Sequence, residues 1–172
     1  MKKIFVMMLV AILALSATAF AATYNLDNDI SFEYDENSFK ILKEEHRDDE
    51  DVVALGFKNA DWGDGFVTID LADVDTNSPF PTLEAMQSEL SGVDVIQGDW
   101  ANFKNVISFS IEQDGVTSSN FIVPIYDDDH PDKVDDGLSV SISVTQAAND
   151  QAAADRDDAI SNLVNSIKVI DD

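Results

Sequence analysis

The sequence predicts an α+β fold: a mostly antiparallel sheet packed with a short mid-chain helix and a C-terminal amphipathic helix. Two stretches carry most of that prediction. In residues 138–145, Leu138, Val140, Ile142 and Val144 alternate with Ser139, Ser141, Ser143 and Thr145, the period of a strand buried on one face. Further on, Ile160, Leu163, Val164 and Ile167 recur at i, i+3, i+4 and i+7, which lines up one apolar stripe on a helix. Each needs the other to cover its apolar surface. With 172 residues, the chain is long enough for one core that buries roughly 70% of its unfolded surface.

The N-terminus reads as a secretory signal peptide. Lys2 and Lys3 precede an apolar run over residues 4–15, and Ala19, Phe20 and Ala21 form an A-x-A cleavage site. The run falls short of the roughly 20 residues a spanning helix needs, so residues 1–21 are expected to be removed. Residues 22–172 then form a single domain without a membrane span, in the periplasm or the medium. There is no cysteine, so the exported domain must rely on packing without disulfides.

Removal of residues 1–21 takes two lysines and no acid, and moves the formal charge from -24 to -26. Such a field repels phosphate backbones and anionic membrane surfaces, which argues against nucleic acid and favours an unknown protein or ligand of cationic character, or divalent ions.

The remaining elements follow in order. Ile30, Phe32 and Tyr34 alternate as a first strand, and the cluster Asp35, Glu36, Asn37 and Ser38 turns it into residues 39–42, which predicts an opening hairpin. Residues 43–51 hold six acids and read as a solvated loop. Val53, Leu55 and Phe57 alternate again, a turn with Trp62 at its centre follows, and Val67, Ile69 and Leu71 share one side of the next strand. Thr82 can cap a helix bearing Leu83, Met86 and Leu90, with Gly92 as its stop signal. Strands over residues 93–100 and 106–112 come next. Asp114-Gly115 signals a tight hairpin into residues 119–126, where Pro124 places the strand at an edge or a bulge. Asn149 or Asp150 can cap the last helix.

Three of these stretches carry a resemblance. Ile30-Ser31-Phe32-Glu33-Tyr34 with Asp35-Glu36-Asn37, the helix from Leu83-Glu84-Ala85-Met86 to Leu90, and the closing helix ending Asn165-Ser166-Ile167-Lys168 together resemble the PsbP-like family. That family includes the photosystem II extrinsic subunit, its bacterial secreted relatives, and nuclear import factors of the same α/β sandwich. Asp35 stands where proline is usual, and Ser38-Phe39 replaces a tryptophan. The resemblance spans residues 25–170 and implies the sandwich fold and a binding or accessory role. It carries over no functional residue.

The densest chemical cluster is residues 127–136, with six aspartates in ten residues. Asp127, Asp129 and Asp132 are the candidate ligands for a hard cation such as Ca²⁺, which takes about 6 to 8 oxygen ligands. The spacing departs from an EF-hand, since Asp132 occupies the position that requires glycine. Trp62, Asp128 and His130 are the candidate partner contacts. Asn59, Asp61 and Asp64 offer a second set of oxygens, although these are also ordinary turn residues. His46 and His130 are the only histidines, and no Gly-x-Ser-x-Gly elbow or phosphate-cradling loop is present. The expectation is an exported, non-catalytic acidic binding module with no cofactor. A calcium or other divalent-cation-binding protein is the first alternative and a small hydrolase the second.

Overall fold

The computed structural model describes residues 21–26, 29–47, 50–75, 79–127 and 129–170. The expected signal peptide, apart from Ala21, lies outside them. The chain runs β1 (Ala21–Leu26), β2 (Ile30–Asp35), β3 (Phe39–His46), β4 (Glu50–Phe57), a 3-10 turn (Ala60–Trp62) and β5 (Gly65–Asp73). It continues through α1 (Leu83–Glu89), β6 (Ile96–Trp100), β7 (Phe103–Gln113), β8 (Val116–Tyr126), β9 (Val134–Val144), α2 (Asp150–Ser166) and β10 (Lys168–Val169). All pairings are antiparallel, in a seven-stranded sheet ordered β3-β4-β5-β9-β8-β7-β6 and a three-stranded sheet ordered β1-β2-β10.

The predicted alternation in residues 138–145 lies near the centre of the larger sheet. Leu138, Val140 and Ile142 stand opposite Leu71, Ile69 and Val67 of β5, and all but the half-buried Ile142 are buried. Onto this face pack the α2 stripe of Ile160, Leu163, Val164 and Ile167 and the side chains Leu26, Ile30 and Phe32 of the small sheet. On the opposite face, Phe80 and the start of α1 meet Ile107 and Pro124. The closing helix thus covers one face of the sheet, while α1, none of whose residues is buried, borders the other. Helix starts form where their caps predict: Thr82 Oγ1 accepts from Ala85 N and Asn149 Oδ1 from Ala152 N. The Asp114-Gly115 hairpin has the two positive φ values of a type I′ turn, 53° and 78°.

Two expectations are corrected and a third is narrowed. The predicted opening hairpin does not form, because β2 pairs with β1 along six residues, from Ala21↔Asp35 to Leu26↔Ile30, and β3 pairs with β4. The turn after β2 therefore carries the chain from one sheet to the other. Asp35 holds it by accepting from Asn37 N and Ser38 Oγ. The acid-rich residues 43–51 are largely strand. As an edge, β3 tolerates charge on both faces, and Lys43–Glu45, Arg47–Glu45 and Arg47–Glu50 ion pairs accompany its pairing with β4. Of the two placements expected for Pro124, the edge is excluded, since β8 lies between β9 and β7, and the irregular pairing next to Pro124 fits the bulge. Its missing N–H is accommodated where the β7 ladder stops at Ile107↔Ile122 and next to an irregularity in which β9 skips Asp135 opposite Ile125 and Tyr126.

Between β6 and β7 the chain turns through Ala101 at φ 51°, a left-handed conformation that strains any residue with a Cβ. The turn is tied down by Asn102 Nδ2, which donates to Asn165 O at the end of α2. Replacement of Ala101 by glycine is expected to raise stability by about 0.5–1 kcal/mol in urea unfolding, the sign opposite to that of the usual alanine-to-glycine change.

Candidate functional site

Beside α2, where β10 has ended, the open edge of β2 borders a cleft of about 370 Å³. Its lining follows from the period of the helix. Asp155, Asp158, Asn162 and Ser166 form a polar stripe beside Ala159 and Leu163, facing Glu33, Tyr34 and Asp35 across the gap, with Trp62 also in the wall. At the narrow end one hydroxyl closes the strand edge. Ser166 Oγ accepts from Glu33 N at 2.7 Å, while its own proton is within reach of Glu33 O at 3.0 Å and Leu163 O at 2.6 Å.

Trp62 is held in place by the loop that carries it. Asn59 Oδ1 accepts from Asp61 N, and Gly63 has φ 79° with its Cα so close to Gln146 that a Cβ would sit 2.6 Å from that residue's carbonyl oxygen. Thr145 N donates to Asp64 O, Ala148 N donates to Asp61 O, and Arg156 Nη1 reaches both Trp62 O at 3.1 Å and Thr145 O at 2.9 Å. The ring is 5% exposed and edge-packed on Phe39 and Phe57. Asn59, Asp61 and Asp64 thus contribute to this tether through local and backbone hydrogen bonds.

Among the described residues, the cleft has four carboxylates in its lining and no basic side chain. Asp35 is engaged internally: burial pushes its carboxyl up, but hydrogen bonds from Ser38 and Asn37 outweigh this and hold it below the usual range. Glu33, Asp155 and Asp158 set the charge. Asp155 also accepts from Gln151 Nε2.

The sequence candidates stand elsewhere, apart from Trp62. Asp127 Oδ1 accepts from Asp129 N and His130 N, and these bonds outweigh burial to keep its carboxyl low. Lys133 bonds Asp135 and lies near Asp127, so the loop carries its own counterion. Asp129 and Asp132 are exposed, His130 has a side chain 74% exposed, and Asp128 lies outside the described residues. Among the described residues, no three His, Cys, Asp or Glu side chains converge in a set that could hold a metal ion.

A second network escaped the sequence reading because its members lie on three strands. Glu44 Oε1 accepts from Tyr24 Oη and faces His46 Nε2 at 3.2 Å, while His46 Nδ1 lies 2.9 Å from buried Asp51. The Glu44 and Asp51 hydrogen bonds raise the imidazole pKa. Its contribution to stability is therefore full below the ordinary histidine pKa and lost as pH rises through the raised value. With each ring nitrogen facing a carboxylate, the imidazole links β3 to β4, and Glu44 carries the network on to Tyr24 of β1.

Comparison with known proteins gives no match, whether to a family model, a curated protein or a solved structure. The charge of the cleft was legible only in part. The polar stripe of α2 has helical spacing in the sequence, but Glu33 reaches it only through the β2–α2 packing.

Two substitutions probe these environments. Arg156→Met leaves two backbone carbonyls without their donor and is expected to cost about 2 kcal/mol, a fall in Tm of roughly 6 °C. Asp70, half-buried on β5, has its carboxyl pushed up to about 6, first by burial and then by Glu50. A raised carboxylate pKa means that its favourable contribution, present below the ordinary Asp value, is lost as pH rises through about 6. Asp70→Asn is accordingly expected to stabilise the protein by about 1 kcal/mol at pH 7.5 and to change little at pH 4. Melts across that range check the sign.

Proposed function

We propose that the chain is an exported, non-catalytic acidic binding module of PsbP-like type, and that the cleft beside α2 is where it receives a cationic protein or ligand. The observation that carries this reading is the placement of Glu33, Asp155 and Asp158 around a partly aromatic wall with no basic side chain in the described lining. A preformed concave site of this size, mostly apolar with a few polar groups, is what small-ligand and side-chain recognition uses. Like charges held together on rigid elements lower the potential locally and steer a cation to that point. A sheet with the closing helix on one face and the mid-chain helix bordering the other supports the PsbP-like assignment. The A-x-A site, whose last alanine is the first residue of β1, supports export, with residues 22–172 as the mature form.

The test compares two charge-matched variants. Fluorescence anisotropy of a labelled lysine–leucine peptide at low salt measures binding to the wild-type chain, to Glu33→Gln/Asp155→Asn/Asp158→Asn, and to Asp127→Asn/Asp129→Asn/Asp132→Asn. Each triple variant removes three negative charges. The cleft variant is expected to bind about tenfold more weakly, while the loop variant changes by less than about twofold. Equal losses would mean diffuse attraction to net charge. A loss confined to the loop variant, together with ion-specific stabilisation by Ca²⁺, would move the site to Asp127, Asp129 and Asp132.

A further inference from the structure

The pairing of β7 with β8 ends at Ile107↔Ile122, although both strands run on, β7 back to Phe103 and β8 forward to Tyr126. Interior strands of one sheet normally pair along their shared length. These two part because Pro124 has no N–H to offer β7 and Asn105, at φ 58°, takes its own strand out of the extended conformation. A side-chain bond spans the split instead, from Asn105 Nδ2 to Tyr126 Oη at 3.3 Å. Beside it lies a cleft of about 510 Å³, lined from both strands and by Pro131 and Val169.

Its chemistry is the reverse of the cleft beside α2. Among its described lining residues Lys104 is the one charged side chain, and no carboxylate is present. Lys104 has no ion pair among the described residues, whereas Lys43, Arg47, Lys133 and Arg156 each have one or more. Asp127, which follows Tyr126, accepts from Asp129 N and His130 N of its own loop. Tyr126 Oη accepts from Asn105, and its own proton has no acceptor among the described residues. An ammonium and a hydroxyl proton are thus both open to one acceptor group.

The walls are apolar. Val169 and Tyr126, 40% and 39% exposed, are two of the six large hydrophobic side chains left exposed among the described residues, and both stand here beside buried Pro124 and Ile125. A concave site of apolar walls with a few polar groups is what small organic ligands use. Backbone strain marks the same place: Ala101 at φ 51° and Asn105 bracket the segment that carries Lys104, and strain of that kind collects at ligand sites. The field of the whole chain disfavours anions at long range, so an anion must gain from contact. An apolar body supplies that gain.

We propose that this split in the sheet is a binding site for a small organic monocarboxylate with an apolar body, the carboxylate received by the Lys104 ammonium and the Tyr126 hydroxyl and the body by Val169, Pro131 and Pro124. It is a second site, independent of the cationic reading of the cleft beside α2. Charge-assisted bonds to the carboxylate give it sign and orientation.

The Val169 methyl resonances report on the cleft, and Val169→Ala identifies them. Sodium hexanoate, sodium acetate, hexan-1-ol and hexylammonium chloride are titrated at matched ionic strength. Hexanoate is expected to shift these methyls saturably, while acetate does not and hexan-1-ol binds about tenfold more weakly. Hexylammonium should leave them in place. Lys104→Gln should weaken hexanoate about tenfold and Tyr126→Phe about threefold. Lys40→Gln, which removes the same charge from the far edge strand, should change it by less than about twofold. Lys104→Arg should keep the site, which identifies the loss in Lys104→Gln as one of charge.

No saturation by hexanoate, equal affinity for hexan-1-ol or hexylammonium at these methyls, or equal losses in Lys104→Gln and Lys40→Gln would each overturn the assignment. Either result leaves the cleft beside α2 standing on its own test.

Discussion

One nitrogen of Arg156 holds two parts of the chain together, and the shape of the cleft depends on it. Nη1 donates to the carbonyls of Trp62 and Thr145, joining the 3-10 turn, the end of β9 and the middle of α2. The side chain is 8% exposed. A guanidinium removed from water is costly unless its donors are satisfied. Here the offset comes from carbonyl dipoles, from Asp157 at 3.0 Å and from the surplus of negative charge in the whole chain. Without this tie the loop would be held by its contacts to Thr145, Gln146 and Ala148, and Trp62 would lose its fixed position against Phe39 and Phe57.

The same economy of groups appears where the small sheet meets the helix. Two residues of β10 pair with β2, at Ser31 and Ile30, so the strand edge beyond them needs another cover. Ser166 supplies it at Glu33, both accepting and donating through one hydroxyl. Past Glu33 the cleft lies between the strand and α2. A β10 that began earlier, opposite Glu33 to Asp35, would have closed it. The short final strand and the open cleft are two consequences of one arrangement, in which the chain leaves α2 and turns into pairing too late to cover all of β2.

Much of this was legible in the sequence, because hydrophobic period is a local property. The alternation of Leu138, Val140 and Ile142, the α2 stripe, the caps at Thr82 and Asn149 and the Asp114-Gly115 turn depend on residues near one another. Pairing is not local. Ala22, Tyr24 and Leu26 alternate as clearly as Ile30, Phe32 and Tyr34, yet the nearness of Ala21 to the signal sequence concealed β1, and with it the true partner of β2. In residues 43–51 composition misled for another reason. A charged run is incompatible with a buried strand but suits an edge, where Glu44, His46 and Asp51 pair across strands that are far apart in function from any loop. The site was the least legible part. Glu33 and Asp158 are two of 34 acids, and neither has a local pattern that distinguishes it until β2 is laid beside α2.

The chain's acidity then has two components of different physical character. Some charges on the edge strand and on the loop after β8 are matched nearby: Arg47 with Glu45 and Glu50, Lys133 with Asp135 and Asp127. Exposed pairs of this kind contribute little to stability and are screened by salt within about 8–10 Å, so their main effect is to keep an edge from joining another sheet. The cleft differs because its carboxylates sit on a helix and a strand fixed by Ser166 and beside a wall of apolar carbon, with no basic side chain among the lining residues described. A cation entering there meets several carboxylates and no competing basic side chain among the described lining residues. Position, more than the number of acids, is what gives an acidic protein a preferred point of contact.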